Sequence, residues 1–204
     1  MEHLWKAFKA RAIIREMFDM RGYRVEDVEP WETEFGEFKS FYRNVHSFLD
    51  VTMAAWKNET RLVLVFFPLE ETLKTENLKT IFDFAKERNC NHIIITFKDT
   101  ITSFARKIMM SQACRVETFS IGNLQYNIMK HEWVFPHRLL SEEEATAVLK
   151  KHMLKRENLD KIIVNVDNVA KFLGMRTNDI VEIERTSLEG VRSKAYRVGV
   201  RGTK

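Results

Sequence analysis

The sequence predicts a mixed α+β/α/β protein, with an N-terminal α/β domain on a small mixed sheet and a smaller α+β domain after it. Three observations carry this reading. Strand-like and helix-like apolar patterns alternate between residues 51 and 119. His92 to Phe97 is a continuous apolar run, the pattern of a strand covered on both faces. Beyond residues 125–135 the periods become cleaner, which places a boundary there and domains at 1–128 and 129–204. A chain of 204 residues has room for one large or two small domains.

Residues 3–20 predict a helix, because Leu4, Trp5, Phe8 and Ala12 recur at helical spacing among good helix formers. Ile13, Ile14 and Met17 spread the apolar surface, so more than one face is covered. Gly22 in Arg21-Gly22-Tyr23 supplies a left-handed stop. Residues 24–49 resist assignment; they are acidic and aromatic, with Trp31, Phe35, Phe38, Phe41 and Tyr42. Val51 to Trp56 and Leu62 to Phe67 predict a hairpin through Lys57-Asn58-Glu59-Thr60. Leu73 to Arg88 predicts a helix with Leu78, Ile81, Phe82 and Ala85 on one face. Residues 102–111 predict a short helix, and Arg115 to Phe119 a short strand.

In the second domain Ser141-Glu142-Glu143-Glu144 is a capping box. Ala145, Val148, Leu149 and His152 follow at helical spacing. Asp167 caps a shorter helix whose Val169, Phe172 and Leu173 face one way, and Gly174 closes it. Ile180 to Arg185 and Ala195 to Val200 predict two strands around a loop holding Gly190. In the last strand Tyr196, Val198 and Val200 alternate with Arg197, Gly199 and Arg201, which predicts one buried face.

Composition bounds the function. The formal net charge of +4 allows an acidic partner without requiring one. Cys90 and Cys114 are too few for a disulfide framework or a Cys-based zinc site, so a reduced compartment, nucleus or cytosol, is expected. The start Met1-Glu2-His3-Leu4-Trp5-Lys6 lacks the apolar core of a signal peptide. The longest apolar run, Leu62 to Phe67, is far short of a membrane span, so no membrane partner is expected.

Residues 131–200 read as a module built to be gripped by something larger: H-E-W-V-F-P-H-R-L-L-S, then L-D-K-I, V-A-K-F-L-G-M and Y-R-V. This module resembles the assembly domain of the fifth subunit common to the three nuclear RNA polymerases, a domain that archaeal polymerases also contain. His131, Glu132, Val134, His137, Leu140, Ser141, Leu149, Leu154, Leu159, Ile162, Asp167, Val169, Ala170, Leu173 and Gly174 match in order. So do Asp179, Val181, Ile183, Arg185, Ser187, Tyr196 and Arg197. The N-terminal half resembles the jaw domain of the eukaryotic version, on Leu4-Trp5-Lys6, Arg21-Gly22-Tyr23 and Val116-Glu117-Thr118-Phe119. The departures are Leu159-Asp160-Lys161-Ile162 for L-P-x-I, Asp167-Asn168-Val169 for D-P-V, and Asn178-Asp179 for G-D or G-E. Pro136 is shifted, and Gly190 sits about one residue early. Losing prolines and a turn glycine costs rigidity but need not change the fold. Such drift suggests a divergent lineage, such as a large DNA virus encoding its own polymerase.

The resemblance implies a restriction-endonuclease-like jaw domain and an accessory subunit with no catalytic residue, cofactor or metal of its own. It implies docking on the largest polymerase subunit, close to the small sixth subunit, with the jaw supporting downstream duplex DNA independently of sequence. The implied subunit interface includes His131, Glu132, His137, Asp167, Gly174, Arg185, Tyr196 and Arg197. The implied location is the nucleus in a cellular host, or host cytoplasm and virion for a cytoplasmic virus.

Three stretches invite other chemistry. His131, Glu132 and His137 fit no standard zinc spacing, so hydrogen-bonded structural histidines are the expectation. Glu37-Phe38-Lys39 with Asp27 could imitate the metal-binding E-x-K of a nuclease, which needs a strand; a metal-dependent nuclease is therefore one alternative. A transcription-factor adaptor outside the polymerase is another. Asp99 to Lys107 follows a buried strand and opens a helix, so Thr102, Ser103, Arg106 and Lys107 could meet a phosphate. The family's corresponding loop approaches downstream DNA with a T-P-S-A core, of which Thr102 and Ala105 remain and Ser103 replaces the proline. Trp31, Phe35, Phe38 and Phe41 read as core or interface, since a base-stacking sheet would interleave aromatics with cations. Arg192, Lys194, Arg197, Arg201 and Lys204 form a basic run that is either docking surface or solvated.

Overall fold

Helix α1 (Glu2–Met20) opens the structure, a computed structural model that describes residues 2–25, 29–58, 61–68, 72–187 and 190–202. Asp27, Glu59, Thr60 and Lys204 lie outside the described residues. The chain divides into two compact units, Met1–Tyr126 and Asn127–Lys204.

The buried side of α1 is Ala10, Ile13, Ile14, Met17 and Phe18. The expected stripe differs: Ala12 is exposed and Trp5 is 41% exposed. With apolar residues all round the helix, spacing could not choose a face, and packing did. Gly22 follows at φ 72°, the left-handed stop. The stretch that resisted assignment holds β1 (Arg24–Val25), a 3-10 turn at Pro30–Glu32, α2 (Phe35–Arg43) and a second 3-10 turn at Phe48–Val51. Crowded aromatics hid the period of α2, because only Phe38 of that helix is fully buried.

β2 (Met53–Lys57) and β3 (Arg61–Phe66) pair antiparallel, Met53 opposite Val65. Next come β4 (Thr72–Leu73), α3 (Thr75–Glu87), β5 (His92–Phe97), β6 (Thr100–Ile101), α4 (Ser103–Met110) and β7 (Arg115–Ser120). The helix expected from Leu73 starts at Thr75 instead, because Thr72 and Leu73 pair in parallel with Thr100 and Ile101. The main sheet runs β1-β2-β3-β5-β7, and β3, β5 and β7 are parallel. Leu64, Phe66, Ile93 and Ile95 bury one face under Leu78, Ile81 and Ala85 of α3 and Ala105 and Met109 of α4. By alternation Val63, Val65 and Ile94, all fully buried, point to the other face. His92 and Glu117 share that face, and Arg21 at the end of α1 reaches Glu117 there. The sheet is therefore covered on both sides.

The second unit holds β8 (His137–Leu139), α5 (Glu142–His152), β9 (Asp160–Ile163), α6 (Asn168–Leu173), β10 (Ile180–Thr186) and β11 (Arg192–Val200). Its sheet runs β8-β10-β11-β9, with β9 parallel to β11 and the other pairs antiparallel. Both expected caps form. Ser141 accepts from Glu144 N–H at 3.2 Å while Glu144 accepts from Ser141 N–H at 2.9 Å. Asp167 accepts from Ala170 N–H at 2.9 Å, and Gly174 closes α6 at φ 67°. Strands β8 and β9 were not foreseen; each is too short to show a period.

One expectation is corrected. The last strand is buried on two faces, not one. Leu140, Ala145, Leu159, Ile180 and Val198 form a core on the α5 side, joined by Val148, Leu149 and Tyr196. Ile162, Ala170, Met175, Val181 and Ile183 form another on the α6 side. Gly199 belongs to that second face, and a Cβ there would lie 2.4 Å from the Arg176 carbonyl oxygen. Alternation with Arg197 and Arg201 made the position look exposed, whereas the loop after α6 lies directly on it.

Candidate functional site

In the N-terminal unit, β5 delivers the chain to the start of α4. Thr96 inside β5 donates to the Phe66 carbonyl at 3.2 Å and ties the strand to β3. The short β4–β6 pairing then fixes the loop, and Thr102 caps α4 by accepting from Ala105 N–H at 3.2 Å. Ala105 and Met109 face inward. Thr102, Ser103, Arg106 and Lys107 all face solvent, Thr102 and Ser103 at the start of α4, Arg106 in its first turn and Lys107 in its last. The helix dipole and two cations favour an anion there. The same surface carries Phe104 and Met110, each 64% exposed, which sequence patterns alone did not single out.

Glu37 and Lys39 fall on helix α2 rather than a strand, so the E-x-K geometry of a nuclease is not built at that motif. The aromatics around them pack on one another: Trp31 stacks on Phe41 at 4.0 Å between centroids, and Phe38 meets Phe8 at 5.4 Å. Arg11 lies within this cluster, 5.0 Å from the Trp31 ring centre and 4.7 Å from that of Phe67. It pairs with Glu32, which also takes Arg15. Burial lowers the Arg11 pKa to about 9, so it stays charged at neutral pH.

A second buried ionic group joins two marks of the N-terminal half. Arg21 donates to Glu117 at 2.8 Å, Arg115 at 2.9 Å, and His92 Nε2 lies 2.7 Å from the same carboxylate. Burial opposes the charge of Glu117, yet Arg21, the His92 hydrogen bond and Arg115 outweigh it and hold the carboxyl well below its usual range. Burial likewise lowers the His92 pKa, against the pull of Glu117. Neither cluster was anticipated. The available signal was Glu117 itself, a charged residue inside a short strand of a covered sheet.

In the C-terminal unit the sequence-derived interface residues separate into groups. Asp167 and Gly174 cap α6. His131 and Glu132 are exposed, and His131 Nδ1 accepts from Trp133 N–H at 3.3 Å. His137 Nδ1 donates to the Phe135 carbonyl at 2.5 Å. Among the described residues no three His, Cys, Asp or Glu side chains converge as a metal site. Tyr196 lies on the α5 face, where its hydroxyl bonds Glu182 at 3.1 Å. Glu182 is buried and also takes Lys194 at 3.1 Å and Arg138 at 3.3 Å. Burial opposes its charge, and these partners nonetheless lower its pKa. Arg185 and Arg197 lie on the other face, beside His137 and Ala195. Arg197 Nε is buried and has no hydrogen-bond partner among the described residues.

Each unit has its own core, and the N-terminal unit carries solvent-facing polar and cationic side chains on α4. Residues 126–198 match the family model of RNA polymerase Rpb5, C-terminal domain, and residues 1–85 match RNA polymerase Rpb5, N-terminal domain. The chain belongs to the Rpb5 family. It is 29% identical over 206 residues to the subunit rpabc1 of DNA-directed RNA polymerases I, II and III from Dictyostelium discoideum, covering 98% of this chain and 100% of that one. It is 26% identical over 204 residues to subunit RPABC1 of Caenorhabditis elegans, with 96% of each covered. The Caenorhabditis briggsae subunit is 27% identical over the same share.

Proposed function

We propose that the chain works as the non-catalytic fifth subunit of a multisubunit DNA-directed RNA polymerase, docking by its C-terminal unit on the largest subunit beside the small sixth one. The observation that carries this is the match of both halves, in order, to the two domains of one polymerase subunit. The N-terminal unit serves as the lower jaw, of the restriction-endonuclease-like kind, and bears on downstream duplex DNA. Thr102, Ser103, Arg106 and Lys107 supply that contact at the start of α4, independent of sequence and sensitive to salt. His131, Glu132, His137, Arg185 and Arg197 belong to the docking surface, and Asp167 and Gly174 hold its shape. In a cellular host the work is done in the nucleus. Bond-making and the catalytic metal belong to other subunits.

The test is affinity purification of the tagged full chain from its source at moderate salt, read by mass spectrometry. Stoichiometric recovery of the two largest polymerase subunits is the expected result. An intact, folded chain recovered without them would overturn the reading.

A further inference from the structure

We infer that a cavity at the carboxyl edge of the N-terminal sheet binds a ribonucleoside, with Asp99 accepting from its sugar hydroxyls. The cavity measures about 430 Å³, within the roughly 300–1,000 Å³ of small-molecule sites. The parallel strands β3, β5 and β7 end at Phe66, Phe97 and Ser120. The residues just beyond those ends, Pro68, then Lys98 and Asp99, then Ile121 and Gly122, line the cavity. Open α/β sheets bind ligands beyond the carboxyl ends of their strands. The first two turns of α1 and Tyr42 near the end of α2 complete the described walls. These walls are fixed from within the unit. Gln125 Nε2 donates to the Ile121 carbonyl at 2.7 Å and to the Lys6 carbonyl at 3.1 Å, which ties the turn after β7 to α1. Ser120 Oγ accepts from Gly122 N–H at 3.2 Å. The site is therefore formed before a ligand arrives.

The lining narrows the ligand. Leu4, Ala7, Pro68 and Ile121 supply apolar surface. Glu2 and Lys6 pair with each other at 2.6 Å. The formal charges of the described lining cancel, Glu2 and Asp99 against Lys6 and Lys98. A polyanion finds no field of one sign there, so the ligand that fits is uncharged. Asp99 is exposed and makes no ion pair or hydrogen bond among the described residues. A carboxylate with both oxygens open suits two neighbouring sugar hydroxyls. The Tyr42 hydroxyl makes no hydrogen bond among the described residues either. Burial raises its pKa to about 12, so it keeps its proton and can both donate and accept. An uncharged heterocycle covers the apolar lining and offers Tyr42 a partner, and the attached ribose brings Asp99 its two donors. An apolar side chain of a partner protein would leave both groups unmet.

The test is a titration of the purified full chain, read by calorimetry and by amide chemical shifts. The ligands are the four ribonucleosides, their 2′-deoxy forms, their 5′-monophosphates and N-acetylphenylalanine amide. The expected result is saturable binding of a ribonucleoside, with shifts around Tyr42, Asp99 and Gly122. Its 2′-deoxy form binds about tenfold more weakly, and Asp99→Ala removes that difference. Tyr42→Phe keeps the ring beside Phe38, 5.1 Å away between centroids. It weakens the ribonucleoside by roughly threefold to tenfold. Both variants are expected to melt with the unaltered chain, since neither polar group bonds within the described residues. Should either fail to fold, the ribose against 2′-deoxyribose comparison on the unaltered chain decides alone. No saturable binding at millimolar ribonucleoside would overturn the site. Equal affinity for the two sugars would remove Asp99 from its role and overturn the assignment, as would tighter binding of the monophosphates. Binding of N-acetylphenylalanine amide in place of the nucleosides would mark a pocket for a partner's side chain and overturn it too.

Discussion

At Gly199 the backbone leaves no room for a side chain. A Cβ would approach the Arg176 carbonyl oxygen to 2.4 Å and a Val164 methyl to 2.8 Å, and a backbone atom cannot swing aside. Gly199→Ala is expected to destabilise the protein by about 1–3 kcal/mol in chemical denaturation. An unchanged midpoint would mean that the loop after α6 does not rest on β11. Glu117 and His92 make a second prediction at this scale. The folded-state pKa of Glu117 is depressed, so its contribution is present above the ordinary value of 4.5 and is lost as pH falls. His92 is also held below its ordinary 6.5, so below that pH the unfolded chain binds the proton first, and stability again falls on acidification. Stability therefore decreases as pH falls below about 6.5 through His92 and further below about pH 4.5 through Glu117. His92→Gln should flatten the first part only, as read by denaturant midpoints against pH.

The elements are defined at their ends. Asp167 holds the first turn of α6 through Ala170 N–H, and Asp167→Ala is expected to cost about 1 kcal/mol, measurable as a shifted urea midpoint with unchanged slope. Helix α4 is fixed from both sides, by the β4–β6 pairing before it and by Ala105 and Met109 beneath it. Its cationic outer side is free to act. In the assembled polymerase, Arg106→Ala/Lys107→Ala should weaken downstream-duplex binding alike for every sequence. The slope of log affinity against log salt should fall by about 0.9 for each phosphate no longer neutralised. A slope that stays the same would remove α4 from the DNA-binding surface.

For the whole molecule, each unit carries its own core. The C-terminal unit owns the two cores on either side of its sheet, built from residues within Asn127–Lys204. A fragment spanning that unit is expected to fold cooperatively and give dispersed amide resonances. A collapsed spectrum would show that the unit depends on the rest of the chain. No helix among the described residues is long and apolar enough to cross a membrane.

The sequence by itself determined what depends on neighbours along the chain. The caps at Ser141 and Asp167, the stops at Gly22 and Gly174, and the central strand His92–Phe97 all follow from local spacing and local hydrogen bonding. The family was legible for a related reason, since the order of such marks survives even where prolines are replaced. Short elements were not legible: β4, β6, β8 and β9 exist through their partners and have too few residues to show a period. Tertiary structure alone decided which side of α1 is buried, that Gly199 lies under a loop, and that Arg21 meets Glu117 across the unit. It also decided the different fates of Tyr196 and Arg197, neighbours in sequence. The hydroxyl of Tyr196 is bonded within the chain, and Arg197 Nε is buried with no hydrogen-bond partner among the described residues. Strand alternation sets them on opposite faces, but only the packing around each face decides which polar groups find a partner within the chain.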